Sequence, residues 1–332
     1  MARAWCLKSR PSGMPVGDNF ELKDFGSAPL GDGEIRVANE WLSVDPYMRG
    51  RMNDVKSYVP PFQIGEPMSG GAVGTVTESR SDRYAVGDKV MHMAGWRDEA
   101  VLPAGEGFGA PQKLPDIGLP IQTFLHNMGL TGATAYFGLL HTASAKEGDI
   151  VFVSAAAGAV GSAVVQIAKD KGMTVIGAAG GPDKCAWVRE LGADACIDYK
   201  AGPVLPQLAK AAPKGIDVYF DNVGGDHLDA AYALARERAR FAICGMIDAY
   251  NDGAPLQLKF FIRSIPARIR TEGFIFTDYI AHMPEFLADA GRMIASGKLK
   301  ARETVVEGLE GTPEAFLGLF SGANTGKMLV RL

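Results

Sequence analysis

The stretch Ile150–Gly177, IVFVSAAAGAVGSAVVQIAKDKGMTVIG, limits the possible folds more than any other part of this chain. Val151–Val153 are apolar and rich in β-branched residues, which suits a buried strand. Turn residues Glu147-Gly148-Asp149 precede them, and the glycine-containing run Ala155–Gly161 follows. Beyond Gly158 and Gly161, apolar Val160, Val164, Ile167 and Ala168 recur at helical spacing. Lys169 and Lys171 suit the negative end of a helix dipole, and Gly172 suits its stop. Thr174–Ile176 reads as a second buried strand. A βαβ unit with glycines at its first turn lets backbone approach a pyrophosphate that the helix N-terminus attracts. The usual G-x-G-x-x-G is here Ala156-x-Gly158-x-x-Gly161, with alanine for the first glycine. Ile150–Ala168 carries no charged side chain and is long enough to span a bilayer. Two glycines, two serines and Gln166 interrupt it, and the strand-turn-helix parse accounts for them.

The chain has 332 residues, room for about two domains. A formal net charge of −4 gives no electrostatic case for nucleic acid or an anionic membrane. The N-terminal residues have no apolar segment of a secretory signal. Cys6, Cys185, Cys196 and Cys244 are scattered without a C-x-x-C, as expected of reduced thiols in a cytoplasmic protein. His92, His126, His141, His227 and His282 make no zinc-type spacing, so no metal is expected. Gly322-x-x-x-Gly326-Lys327-Met328 is one residue short of a P-loop and lacks its Ser/Thr.

Residues 1 to about 124 read as β-rich, with strands at Phe20–Phe25 and Glu34–Val44 around a Gly31-Asp32-Gly33 turn. Asp45-Pro46-Tyr47-Met48-Arg49-Gly50-Arg51-Met52 reads as a turn into a short helix. It is either a cleft wall carrying a phenol and cations or a solvated surface turn, and composition favours the solvated turn. The glycines of Gly65–Val76 precede strand-like residues, so they suit bulges and corners of a small barrel. Proline- and glycine-rich 103–120 is a connection. Strands and helices then alternate: helices near Asp183–Leu191, Val204–Ala211 and His227–Leu234, strands at Ala195–Ile197, Ile216–Phe220, Phe241–Cys244 and Gly273–Phe276. This rhythm implies an α/β, doubly wound parallel sheet. The tail adds helices near Pro284–Ser296 and Pro313–Phe320 and a strand at Met328–Arg331.

Ligands of such sheets sit beyond the carboxyl ends of the strands. After the second strand an NAD site usually offers an acid to the ribose hydroxyls. This chain has Gly177-Ala178-Ala179-Gly180-Gly181 there, followed by Asp183 and Lys184. Asp183 suits a helix start, and Lys184 suits a 2′-phosphate, which favours NADP.

AAAGAVGSAVVQIAK, FDNVGG at Phe220–Gly225, Ile243-Cys244-Gly245, GANTGKMLV at Gly322–Val330, SVDPYMRGRM at Ser43–Met52 and EGFIFTDY at Glu272–Tyr279 carry a family resemblance. Over nearly its whole length the chain resembles the zinc-independent medium-chain dehydrogenase/reductases, in the branch of the prostaglandin reductases, bacterial curcumin reductases and plant double-bond reductases. The resemblance implies a GroES-like β-barrel domain, residues 1–124 with 297–332, and an inserted Rossmann domain, residues 125–296. It implies NADPH-dependent reduction of the C=C bond of α,β-unsaturated ketones or aldehydes, and a homodimer. By motif, Gly158, Ala159, Val160 and Gly161 would cradle the pyrophosphate. Lys184 and Tyr199 would face the adenosine-phosphate end, and Asn222 would lie near the cofactor. Cys244, Gly245 and Tyr250 would line its channel. Phe274, Ile275 and Phe276 would approach the nicotinamide, Asn324 would reach it from the tail, and Tyr47 would sit by the substrate. Zinc-binding relatives use Gly-His-Glu where this chain has Gly65-Glu66-Pro67. Several eukaryotic members carry a tyrosine, proposed as proton donor, at the position of Pro266. That role is left vacant or falls to Tyr47, Tyr250, Tyr279, the cofactor ribose or water. Quinone reduction and cofactor binding without catalysis are the alternative readings.

Overall fold

Alternation of apolar and polar residues builds the first strands of the chain in this computed structural model, which describes residues 2–107, 109–251 and 255–332. Phe108, in the expected connection, lies outside them. β1 (Arg3–Leu7) pairs with β2 (Phe20–Asp24). β3 (Glu34–Ser43) is the spine of a larger sheet with β4 (Ala72–Ser79), β5 (Lys89–His92), β6 (Glu99–Pro103) and β7 (Gln112–Lys113). Register shifts at Arg36/Val37 and Asn39/Trp41 bend β3 against β4. Gly74 is required at the second shift, because a Cβ there would lie 2.1 Å from the Ala38 carbonyl oxygen. The glycine cluster thus serves a strand bend, as its sequence suggests. After β3 comes the four-residue helix α1 (Met48–Arg51).

The connection leads to α2 (Leu130–Phe137), continued by a π-helical turn at Gly138–Thr142. Then follow β8 (Ile150–Val153), α3 (Ala159–Asp170), β9 (Thr174–Ala179), α4 (Pro182–Glu190), β10 (Ala195–Asp198), α5 (Val204–Ala211), β11 (Ile216–Asp221), α6 (Gly225–Leu234), β12 (Ala235–Ile243), α7 (Ser264–Ala267), β13 (Arg270–Gly273) and α8 (Met283–Ala295). The six strands are parallel in the order β10-β9-β8-β11-β12-β13. The chain winds outward from β8 one way, then restarts at β11 the other way, so the β8/β11 gap is the topological switch point. Phe152, Tyr219, Phe241, Leu208 and Tyr232 lie in one buried cluster under this sheet.

Two strands depart from expectation. β12 begins at Ala235, well before Phe241, because Arg236 and Arg240 pair with Asp217 and Asp149 and so keep a charged sequence in the sheet. The expected strand Gly273–Phe276 lies earlier, at Arg270–Gly273. It is an exposed edge, and a 3₁₀ helix, Phe276–His282, takes over after it.

The tail adds β14 (Glu303–Glu307), α9 (Thr312–Ser321) and β15 (Lys327–Arg331). β15 pairs antiparallel with β3, and Phe316 of α9 joins Trp96, Phe20, Met48, Met52 and Phe62 in a second core. By contacts the chain divides into two units. One takes in the chain up to Leu125 with Glu303–Asn324 and Met328–Leu332; the other is His126–Arg302 with Thr325–Lys327.

Candidate active site

In the parallel-sheet unit, α3 starts on the glycine turn after β8. Its N-cap, Gly158, offers no side chain to the first-turn N–H groups, so those donors of Ala159, Val160 and Gly161 remain for an anion. Gly161 cannot carry a Cβ, which would lie 2.3 Å from the Ala155 carbonyl oxygen. Ala155 itself has a φ of 47°. The alanine that breaks the glycine pattern has a local explanation. Ala156 is fully buried, and a Cβ on Gly177 of β9 would lie 2.9 Å from the Ala156 Cβ. The missing glycine is relocated to the neighbouring strand. Gly326 also closes on this turn: it donates its N–H to the Ala157 carbonyl at 2.7 Å and bridges Gly158.

At the tip of β9, Gly181 caps α4 with φ 102°, and Lys184 lies half-buried in the first turns of that helix. Burial, and then the nearby Lys200 ammonium, hold Lys184 below the usual lysine value. The Tyr199 ring lies edge-on to His227 at 5.4 Å. Asp198, the acid at the end of β10, spends its Oδ1 on the N–H groups of Gly181 and Lys200 at 2.8 and 2.9 Å.

Across the switch point, β11 ends in Asp221, whose role is absent from the sequence reading. Its Oδ1 accepts from Tyr219 Oη at 2.7 Å, Val223 N at 2.9 Å, Gly224 N at 2.8 Å and Ser154 Oγ at 3.2 Å. Its Oδ2 is buried with no hydrogen-bond partner. Burial raises the Asp221 carboxyl above its usual value, and these donors oppose the rise. Ser154 Oγ accepts the Asn222 N–H, and its carbonyl accepts from Asn222 Nδ2, each at 2.8 Å. Asn222 is therefore fixed by the end of β8. A polar Ser154 closing an apolar strand was the available sequence signal.

The Asp221 carbonyl accepts from Cys244 N and Gly245 N. Burial, then Asp221, push the Cys244 thiol up to about 12. Tyr250 folds over this turn: a Cβ on Gly245 would lie 2.9 Å from its Oη, which accepts the Met246 N–H at 3.4 Å. Phe274 packs on Gly138 and stands edge-on to Phe220 at 6.0 Å. Ile275 is extended, and Phe276 starts the 3₁₀ helix. Tyr279 is committed elsewhere, stacked on Phe137 and hydrogen-bonded to Thr142 at 2.8 Å. Pro266 is exposed in α7. The unit thus gathers Gly158–Gly161, Lys184, Tyr199, Asn222, Cys244, Gly245 and Tyr250 at the carboxyl ends of its strands.

Tyr47 and Asn324 belong to the other unit. The favoured reading of Asp45–Met52 as a solvated turn is overturned, since Asp45, Met48, Arg49 and Met52 are all buried. Arg49 survives burial by donating to Asn53 Oδ1 and the Gly13 carbonyl, each at 2.8 Å. The Tyr47 hydroxyl is enclosed and unpartnered in normal hydrogen-bond geometry. Burial, then Asp45, hold its phenol well above the usual value, and the Arg51 guanidinium works the other way. Arg51 is fixed by Pro60 O, Ser69 Oγ and the face of Phe62 at 4.0 Å. Asn324 is half-buried in the turn before β15.

Among the described residues, no group of three or more His, Cys, Asp or Glu is placed to hold a metal ion. No helix among the described residues is long and apolar enough to cross a membrane. The strand order, the uncapped helix start and the acid-free tip of β9 define a dinucleotide-binding α/β protein. Residues 3–109 match the family described as the N-terminal domain of oxidoreductase, and residues 159–300 the one described as zinc-binding dehydrogenase. NADPH-dependent curcumin reductase of Escherichia coli is 42% identical, over 99% of this chain and 96% of that protein. Prostaglandin reductase 1 of Bos taurus is 38% identical, over 99% of each. The crystal structure of CurA in complex with NADPH from Vibrio vulnificus superposes with a TM-score of 0.93 at 42% identity, over 99% of this chain and 98% of that one. The chain belongs to the zinc-independent medium-chain dehydrogenase/reductases, in the branch of the curcumin and prostaglandin reductases.

Proposed function

We propose that the protein reduces the C=C bond of α,β-unsaturated ketones or aldehydes with NADPH and without zinc. One observation carries the cofactor choice. The tip of β9 presents Gly180-Gly181 and Lys184, and the one acid at the end of β10 is turned onto backbone N–H groups. The likeness to NADPH-dependent reductases along the whole chain supports the reaction. When bound, NADPH supplies the hydride that reaches the β-carbon of the substrate. The first-turn N–H groups at Gly158–Gly161 hold the pyrophosphate, and Lys184 and Tyr199 hold the 2′-phosphate. Asn222, Cys244, Gly245, Tyr250, Phe274, Ile275 and Phe276 line the cofactor, and Asn324 serves its nicotinamide end. Tyr47 donates a hydrogen bond to the substrate oxygen as it becomes an enolate.

The test is NADPH consumption against parallel panels of enones, enals and quinones. Turnover of enones or enals above quinones supports the reading. Turnover of quinones alone makes the protein a quinone reductase. Tight NADPH binding with no turnover anywhere makes it a binding protein.

We also propose a homodimer built on β13. This edge strand is exposed along its length, and among the described residues no strand pairs with its outer side. Phe261, Ile262 and Ile265, earlier in the chain, are 54%, 67% and 71% exposed. A free edge beside apolar side chains suits a second copy of the chain. Light scattering should give twice the chain mass, and Ile265→Asp should halve it; a monomeric wild type refutes the interface. Four free thiols and no disulfide suit a cytoplasmic enzyme, and a fractionation showing it elsewhere would overturn that location.

A further inference from the structure

We propose that Lys200 is the second cation of the 2′-phosphate subsite and that, together with Lys184, it sets the preference for NADPH over NADH. The inference rests on the NADPH reading above and extends it to a residue that no motif singles out. The geometry starts at Gly180. A Cβ built there would lie 2.6 Å from Tyr199 Oη and 3.1 Å from Lys200 Cε. Both side chains therefore cross the backbone at the tip of β9, and only a glycine leaves them room. Lys184 comes from a different element, α4, and stands close enough to Lys200 to feel its charge.

Two ammonium groups and the Tyr199 phenol are thus drawn to one strand tip. Asp198 is the acid next in sequence. Its Oδ1 takes the backbone N–H groups of Gly181 and Lys200, which fixes the turn and aims Lys200 over Gly180. Asp183 is exposed at the start of α4. The Gly181 N–H and, after it, the Lys200 ammonium help to hold the Asp198 carboxyl below its usual value, but that carboxylate's Oδ1 is already taken by two backbone N–H groups. Like charges held close repel unless an anion joins them. A 2′-phosphate carries nearly two negative charges and several acceptor oxygens, so it engages two cations and a phenol. The bare ribose hydroxyl of NADH needs neither cation.

Full-length wild type, Lys200→Ala, Lys200→Arg and Lys184→Ala are titrated by calorimetry with NADPH, NADH, 2′,5′-ADP, 5′-AMP and inorganic phosphate. Lys200→Ala should weaken NADPH and 2′,5′-ADP about tenfold, the scale of one charge-assisted contact, and leave NADH and 5′-AMP at wild-type affinity. Lys200→Arg should restore most of the loss. The loss should shrink as salt is raised. Retained NADH binding shows that each variant is folded. Wild-type affinity of Lys200→Ala for NADPH overturns the proposal, as does an equal loss for NADPH and NADH. If Lys184→Ala loses NADPH while Lys200→Ala does not, the cofactor reading stands and the role of Lys200 falls. If wild type binds NADH as tightly as NADPH, both fall. Inorganic phosphate binding as tightly as 2′,5′-ADP would make the site a free-anion site and overturn the nucleotide assignment.

Discussion

Gly177→Ala tests the account of the altered glycine turn. The added methyl would start 2.9 Å from Ala156 Cβ and 2.6 Å from Val188 Cγ1, and both neighbours are fully buried. Carbon atoms rest at about 3.5 Å, so the neighbours must yield by about 0.6 and 0.9 Å. Gly177 pairs with Val153 on one side and Cys196 on the other, so its strand cannot slide aside. Overpacking of this kind costs about 1–3 kcal/mol. Replacing a strand glycine by alanine returns about 0.5–1 kcal/mol, which leaves a net loss of about 0.5–2 kcal/mol. Ala156→Gly loses a buried methyl, about 0.8 kcal/mol, and loosens the unfolded chain by about 0.5–1 kcal/mol. In the double variant the methyl has moved across the contact, and only Val188 must still yield. Its cost should fall about 1 kcal/mol short of the sum of the single variants. Urea unfolding followed by the fluorescence of buried Trp187 in α4 reads each midpoint at constant slope. A Gly177→Ala midpoint equal to wild type refutes the packing account. So does a double variant whose cost equals the sum of the two singles.

Three further outcomes are expected. Tyr47→Phe should lower kcat on an enone by about 10²-fold, the scale of one lost oxyanion donor, with NADPH affinity unchanged; steady-state kinetics beside an NADPH titration decide, and unchanged kcat removes Tyr47 from the role. Asp221→Ala strands four donors and should cost at least about 2 kcal/mol with a loss of NADPH affinity, whereas Asp221→Asn keeps the accepting oxygen and should stay closer to wild type; thermal unfolding and NADPH titration separate them, and equal effects would refute the anchoring role. His227 is buried between Phe152 and Tyr199, and burial lowers its imidazole from 6.5 to about 4 while Asp226 works the other way. The unfolded chain takes up this proton first, so the stability is whole above pH 6.5 and drains as pH falls toward about 4. His227→Phe should make urea midpoints less acid-sensitive across that window, and an unaltered pH dependence would refute the assignment.

What the sequence made legible follows the range of the forces involved. The βαβ unit could be read because its signals are local: a β-branched run, two glycines and helical spacing all lie between Ile150 and Gly177. The reason for Ala156 could not be read, because the residue that makes room for it is Gly177, at the far end of that unit. β12 was half legible. Its apolar end announced a strand, but Arg236 and Arg240 stay in the sheet through Asp217 and Asp149, partners supplied by other segments. Asp45–Met52 failed for the same reason. Arg49 is charged and looks solvated until Asn53 and the Gly13 carbonyl are found around its guanidinium. Asp221 was seen as part of a motif, but its function as an anchor depends on Ser154 and Tyr219 meeting it across the sheet.

The environment of Tyr47 bears on which half of the chemistry a phenol there can serve. Burial and the buried Asp45 carboxylate both disfavour a phenolate, and Arg51 offsets them only in part. Such a phenol stays neutral throughout the physiological range and beyond. It is well suited to donate a hydrogen bond to an oxygen gaining charge, which needs the proton to stay in place. It is poorly suited to give that proton away, because the anion left behind would sit enclosed beside Asp45. Under the proposed function the two tasks of a double-bond reduction would therefore separate: Tyr47 would stabilise charge at the substrate oxygen, and the proton for the α-carbon would come from another donor, with water sufficient for it. The absence of a tyrosine at Pro266 is then no defect, since that position is exposed in α7 and protonation of the α-carbon needs no side chain.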